Sequence, residues 1–188
     1  MMTQERIGLF GGTFDPIHLG HLILAQDALE ILHLDRLIFL PARLSPYKIG
    51  TPPCACAEDR LAMLALALVG EPRFSIDSRE LRREGPSYTI DTIRELERDF
   101  PRATFFYLLG EDHAETLQGW KDSAMLKKRV TFTFFARGNS SRSRALFVRR
   151  IDISSTEIRE RLARGAHVSY FLPPPVHTYL EKKSLYRS

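Results

Sequence analysis

His18 and His21 stand three residues apart in the stretch GGTFDPIHLGH, Gly11 to His21, and their spacing suits them to phosphate chemistry. The stretch follows Ile7-Gly8-Leu9-Phe10, a short apolar run of the kind that forms a buried parallel strand. Gly11 and Gly12 then allow unusual φ values and let a ligand come close to the backbone. From about Leu19 the chain reads as a helix, with Leu22, Ala25, Leu29 and Leu32 recurring at three- and four-residue steps on one face. On its first turn the two imidazoles share a side, beside backbone N–H groups that favour an anion. Taken singly, a glycine pair or a histidine is more often structural. The joint order of strand, glycine pair, His-x-Gly-His and helix carries the reading.

A second constellation lies at DISSTEIRERLARG. Ser154 and Glu157 have the S-x-x-E spacing of a capping box, which predicts a helix starting around Ser155 and Thr156 with Arg159 one turn in. By itself this is a well-capped helix. The hydroxyls and the guanidinium beside its N-terminus also make a pocket suited to a polyphosphate. No serine sits in a G-x-S-x-G turn, and no nucleophile and base pair of the hydrolase kind is visible.

The elements that must position these residues alternate along the chain. Strands are predicted near 7–10, 36–41, 73–77, 104–109, 130–136 and 147–151. Helices are predicted near 19–33, 58–69, 89–99, 113–128 in two pieces, 155–164 and 174–183. Near-continuous apolar strands in such an alternation imply a doubly wound α/β fold, a mostly parallel sheet with helices on both faces. Ligands then sit outside the carboxyl ends of the strands, where the strand order reverses, so the Gly11-Gly12 turn and LLGEDH after the fourth strand face one crevice. The helix beginning in GPSYTIDTIREL follows Pro86, can be capped by Ser87 or Thr89, and carries Ile90, Ile93 and Leu96 on its apolar face.

At 188 residues the chain is expected to be one domain, 1–188, burying roughly 70% of the surface its unfolded form exposes. Its 44% hydrophobic and 27% charged residues are those of an ordinary globule. No apolar run approaches the roughly 18 residues of a membrane span, and MMTQERIG has no signal core. A cytoplasmic protein without a membrane partner is the expectation. Cys54 and Cys56 form a single C-x-C, too few ligands for structural zinc and poorly spaced for a disulfide, and no metal ligands are predicted. The net charge of +4 points to an anionic partner. Arg137, Arg142, Arg144, Arg149 and Arg150 read as a solvated loop beside a site for small polyanions rather than as a nucleic-acid surface, because the tip of the segment lacks interleaved aromatics and no nucleic-acid motif appears elsewhere.

GGTFDPIHLGH together with ISSTEIR resembles the nucleotidyltransferase superfamily marked by a (T/H)-x-G-H turn and an I-S-S-T-x-I-R helix start. More narrowly, the chain resembles the bacterial nicotinate-nucleotide adenylyltransferases, and does so over nearly its whole length. The likeness runs through P-Y-K at 46–48, RLAML at 60–64, SYTIDTIREL at 87–96, G-E-D-x4-L-x2-W at 110–120 and the ending VSYFLPPPVHTYLEKKSLY. Where that family usually has Pro-Pro-His-Lys, this chain has Ser45-Pro46-Tyr47-Lys48, which keeps the lysine and replaces the histidine by Tyr47.

The resemblance implies a Rossmann-like nucleotidyltransferase that moves AMP from ATP onto nicotinate mononucleotide in NAD biosynthesis, releasing pyrophosphate. It implies that His18 and His21 are catalytic and bind ATP with Gly12, Thr13, Ser154, Ser155 and Arg159. Lys48, Thr89, Asp112 and Trp120 would bind the acceptor side: Lys48 through phosphate charge, Asp112 through ribose hydroxyls, Trp120 by stacking on the pyridine ring. Mg²⁺ would arrive on ATP. A homo-oligomer is compatible with all of this, and no nucleic-acid partner is implied. Two other readings stay open: an adenylyltransferase of the same superfamily with a pantetheine-phosphate acceptor, and a nucleotide-binding module without turnover. On residue type alone, Trp120 could be a core anchor, Asp112 a helix cap and Lys48 a surface lysine.

Overall fold

A computed structural model describes residues 4–46, 52–136, 145–148 and 151–187. Six strands, β1 (Arg6–Gly12), β2 (Arg36–Pro41), β3 (Phe74–Ile76), β4 (Thr104–Gly110), β5 (Val130–Ala136) and β6 (Ala145–Val148), form one sheet in the order β3-β2-β1-β4-β5-β6. Every neighbouring pair is parallel. The helices are α1 (Leu19–Ile31), α2 (Ala57–Ala67), α3 (Arg79–Arg82), α4 (Thr89–Asp99), α5 (Ser123–Arg129), α6 (Ser155–Ala163) and α7 (Pro174–Lys183). Two 3-10 turns, Glu111–His113 and Thr116–Gly119, follow β4.

The strands read as apolar on both faces because both faces are covered. In β1, Ile7 and Leu9 join a core that includes Ile90, Ile93 and Leu96 of α4 and Leu126 of α5. Phe10 joins the opposite core with Ala25 and Leu29 of α1, Met63 of α2, Ile158 of α6 and Val176 of α7. The same alternation splits Leu37 and Phe39 from Ile38 and Leu40 in β2, and Phe106 and Leu108 from Phe105 and Tyr107 in β4. β1 lies between β2 and β4, so chain order reverses there. The crevice beyond the carboxyl ends of β1 and β4 is the ligand position that such a topology offers.

Three local expectations need correction. The last strand is 145–148 rather than 147–151, and its pairing with β5 carries a register shift between Phe134 and Phe135. The region 113–128 is helical in two pieces, but the first is a 3-10 helix, Thr116–Gly119, and only α5 is an α-helix, with Asp122 in the left-handed region at φ 54° before it begins. α3 was not foreseen, since four residues are too few for any apolar periodicity. Arg79 secures it by pairing with Asp77 and Asp99.

Candidate active site

His18 is the N-cap of α1, with extended backbone at φ −145° and ψ 169°, and His21 is the third helical residue. His18 is buried, and its backbone N–H donates to Nδ1 of His21 at 3.3 Å. The two rings stack with centroids 3.7 Å apart and planes inclined by 26°. Because Nδ1 of His21 accepts, a neutral His21 carries its proton on Nε2, which can then donate to an anion. Phe10 and Phe14 meet the His21 ring edge-on and fix its orientation. The intervening glycine has a steric reason: a Cβ on Gly20 would lie 3.0 Å from Nδ1 of His18 and 3.3 Å from Ile151.

Gly11 and Gly12 close β1 rather than forming a turn, neither taking the positive φ that glycine allows, and the pair is held equally closely. A Cβ on Gly11 would collide with the Tyr107 hydroxyl, and the Gly12 carbonyl accepts from the Ala42 N–H at 2.9 Å. Arg60 of α2, only 1% exposed, donates through Nη1 to the carbonyls of Thr13 at 2.7 Å and Ala42 at 2.8 Å. One guanidinium thus ties the loops after β1 and β2 together. Burial lowers its pKa, and Asp15 counters that. Sequence reasoning assigned Arg60 no role. The signal available was an arginine on the buried face of an amphipathic helix, at i, i+3 and i+4 with Met63 and Leu64.

α6 docks on the turn after β1. Ser154 is its N-cap and accepts from the Glu157 N–H at 3.1 Å, as the spacing predicts, while the Glu157 carboxylate pairs with Arg161. Ser155 donates from Oγ to the Pro16 carbonyl at 2.8 Å. Arg159 donates to the Asp15 carbonyl at 2.7 Å and to Thr156 Oγ1 at 3.2 Å. The N-termini of α1 and α6, two histidines and one guanidinium therefore converge on one place, an arrangement that attracts a polyanion.

That place is a cleft of about 700 Å³. Thr13, His18, His21, Ser154, Ser155 and Arg159 line it, and His113 adds an imidazole from beyond β4 that sequence reasoning had not singled out. Gly11 lines the cleft, and Gly12 is not among the lining residues. Thr89 opens α4, with Oγ1 3.5 Å from the Tyr107 hydroxyl that presses on Gly11, so the start of α4 lies close behind the cleft. Neither Ser87 nor Thr89 caps α4: Tyr88 occupies the cap and makes no side-chain cap bond. Ser87 is instead committed to the β2 loop, accepting from the Arg43 N–H at 3.0 Å and donating its own N–H to Leu44 at 2.9 Å. Asp112 lies in the first 3-10 turn after β4. Trp120 is buried, edge-on to Tyr107, Phe132 and His113, and is not among the residues lining the cleft. Tyr47, Lys48 and the arginines at 137, 142, 144, 149 and 150 lie outside the described residues. Among the described residues no helix is long and apolar enough to cross a membrane.

Residues 9–161 match the cytidylyltransferase-like family model. The chain is 46% identical to a probable nicotinate-nucleotide adenylyltransferase of Thermus thermophilus, over 97% of this chain and 100% of that protein. It is 45% identical to the protein of the same name from Shouchella clausii, over 97% of each. In three dimensions it is similar to the Plasmodium falciparum nicotinic acid mononucleotide adenylyltransferase complexed with NaAD, with a TM-score of 0.79 at 18% identity over 97% of each chain, a likeness of fold. With relatives this similar over their full length, the chain belongs to the nicotinate-nucleotide adenylyltransferase family of the cytidylyltransferase-like proteins.

Proposed function

We infer that this chain transfers the adenylyl group of ATP to nicotinate mononucleotide, giving nicotinate adenine dinucleotide and pyrophosphate in NAD biosynthesis. The observation that carries this reading is the convergence of His18, His21, Arg159 and the N-termini of α1 and α6 on one cleft at the β1/β4 switch point. A phosphate oxygen of the mononucleotide attacks the α-phosphorus, the bond from that phosphorus to the bridging oxygen breaks, and the electron pair leaves with pyrophosphate. The attacking group is already about doubly negative at neutral pH, so no general base is required. Catalysis is then alignment plus stabilisation of the charge that builds on the leaving group.

His18 and His21 are assigned to the phosphates about the reacting centre. Gly12 and Thr13 present the turn to them, and Ser154, Ser155 and Arg159 hold the β and γ groups from the start of α6. Lys48, Thr89, Asp112 and Trp120 are assigned to the acceptor. Magnesium enters with ATP, as part of that substrate, and keeps most of its ligands from phosphate and water. A cytoplasmic setting supplies both nucleotides.

The test is pyrophosphate release with a panel of acceptors: nicotinate mononucleotide, its amide counterpart, pantetheine phosphate and none. Release confined to the pyridine mononucleotides, with the dinucleotide as product, supports the reading. Release with pantetheine phosphate, or none with any acceptor, replaces it.

A further inference from the structure

The segment SLY at 184–186 has no part in the chemistry assigned above, yet it contacts Asp15, a residue of the cleft lining. The Tyr186 hydroxyl donates to Oδ1 of Asp15 at 2.6 Å, across 171 positions of sequence. Asp15 is 4% exposed, and its carboxylate also accepts the N–H groups of Cys54 at 2.7 Å and Ala55 at 3.1 Å, just before α2. Its main chain faces the other way: the Asp15 carbonyl carries Arg159, and the next carbonyl, Pro16, carries Ser155. The side chain that Tyr186 touches therefore belongs to the residue on which the arginine rests.

Two further observations separate this contact from ordinary anchoring of a tail. Tyr186 at one end of the contact has φ 63°, and Phe14, next to Asp15 in the chain, has φ 49°, a left-handed conformation that bulky residues rarely adopt. Such conformations persist where the surroundings over-determine them, and they gather at functional sites. The C-terminal helix is also already attached without it. Val176 and Leu180 are buried, and Tyr179 donates to Asp59 Oδ1 at 2.8 Å.

We propose that Tyr186 and Asp15 form a brace that fixes the phosphate-binding turn and the seat of Arg159, making both positioning residues for adenylyl transfer. The proposal rests on the functional reading above and adds to it that the C-terminus sets the geometry of the reacting phosphates. Burial and the bond to Asp15 push the Tyr186 pKa upward, so the hydroxyl remains a donor across the working range.

The experiment compares Tyr186→Phe with Tyr179→Phe in the full chain, by steady-state kinetics with nicotinate mononucleotide and MgATP. Each variant removes one tyrosine-to-carboxylate bond at the same end of the molecule. Tyr186→Phe is expected to lower kcat about tenfold with the acceptor KM unchanged, as small misalignments at a reacting centre do. Tyr179→Phe is expected to leave kcat unchanged. Asp15→Asn added to Tyr186→Phe should cost less than the product of the two single effects, since both act on one contact; if Asp15→Asn fails to fold, the tyrosine pair decides alone. Equal kcat in Tyr186→Phe and Tyr179→Phe overturns the brace. If the wild-type chain makes no dinucleotide, the functional reading fails instead. The brace is then judged by calorimetric MgATP binding, weaker in Tyr186→Phe if it holds and equal in the two variants if it does not.

Discussion

Nδ1 of His21 accepts the backbone N–H of His18 while the two rings stack 3.7 Å apart. The pair behaves as one unit: the helix start sets the tautomer of one ring, and that ring supports the other. His18 is also buried, so replacing it disturbs packing as well as the phosphate contact proposed for it, whereas the less buried His21 offers a cleaner test.

Gly20→Ala should separate stability from activity. Alanine gains about 1 kcal/mol over glycine within a helix. Its Cβ, however, would sit 3.0 Å from the His18 ring and displace it. The expected outcome is a thermal midpoint equal to or above wild type with turnover reduced by about tenfold, against about 10² to 10³ for His21→Ala, which removes a donor outright. An active, stabilised Gly20→Ala would show that the position of the His18 ring does not matter.

Arg159 divides its fork between the Asp15 carbonyl and Thr156 Oγ1, which sets the guanidinium plane across the cleft wall. Arg159→Ala should raise the KM for ATP much more than that for the acceptor. Arg159→Lys should recover only part of the loss, because an ammonium cannot hold the carbonyl and offer a planar pair of donors to phosphate together. Full recovery by lysine would reduce the role to net charge.

The legible parts of this chain were those whose cause is local. α4 and α7 fall where the sequence placed them, 89–99 and 174–183, because Pro86 and the proline run before Val176 mark their starts and an apolar face runs through each. The His-x-Gly-His start and the Ser154 cap were readable for the same reason, since three-residue spacings act within one turn. Arg60, Asp15 and Tyr186 were not readable as a group, because their contacts join segments far apart in the chain. The cap of α4 was misplaced for a related reason: Ser87 has the right chemistry, but the β2 loop claims its hydroxyl first. The resemblance implies that Trp120 stacks on the pyridine ring; what residue type could not supply is its setting, edge-on to Tyr107 and Phe132, partners that only the folded sheet brings together.

Glu80 of α3 is buried at 4% exposure, accepts from Thr92 Oγ1 at 2.7 Å, and lies near Ser87, Arg83 and Asp77. Burial pushes its pKa above the ordinary carboxyl value, against the pull of the Thr92 and Ser87 hydroxyls and Arg83. The folded state thus holds this proton more tightly than the unfolded chain. Its contribution to stability is full below the unfolded pKa and is lost as pH rises through the folded one. Glu80→Gln abolishes the titration. Urea midpoints at about pH 4 and about pH 7 should therefore shift in favour of Glu80→Gln, relative to wild type, at the higher pH. A constant difference would mean that Glu80 titrates alike in both states.

The start of α4 should select the acid mononucleotide over its amide. Tyr88 caps the helix without a side-chain bond, so its own side chain does not occupy the first-turn N–H groups that an incoming carboxylate would use. Lys121, beside Trp120 in sequence, lies 4.5 Å above the Tyr88 ring and 3.0 Å from Asp91 Oδ2, bringing positive charge to that turn. A nicotinate carboxylate accepting N–H groups there would gain about 1.5 to 3 kcal/mol per charge-assisted bond. The amide loses the charge and turns an NH₂ toward a donor. At about 1.4 kcal/mol per decade, one or two such bonds give a preference of roughly 10 to 10⁴ in kcat/KM. Both mononucleotides are compared under identical MgATP, in wild type and in Lys121→Ala. The wild-type ratio should fall in that range and drop several-fold in the variant, because an exposed ammonium supports the carboxylate without being its main partner. Equal use of acid and amide by the wild type would remove the start of α4 as the reader of the carboxylate.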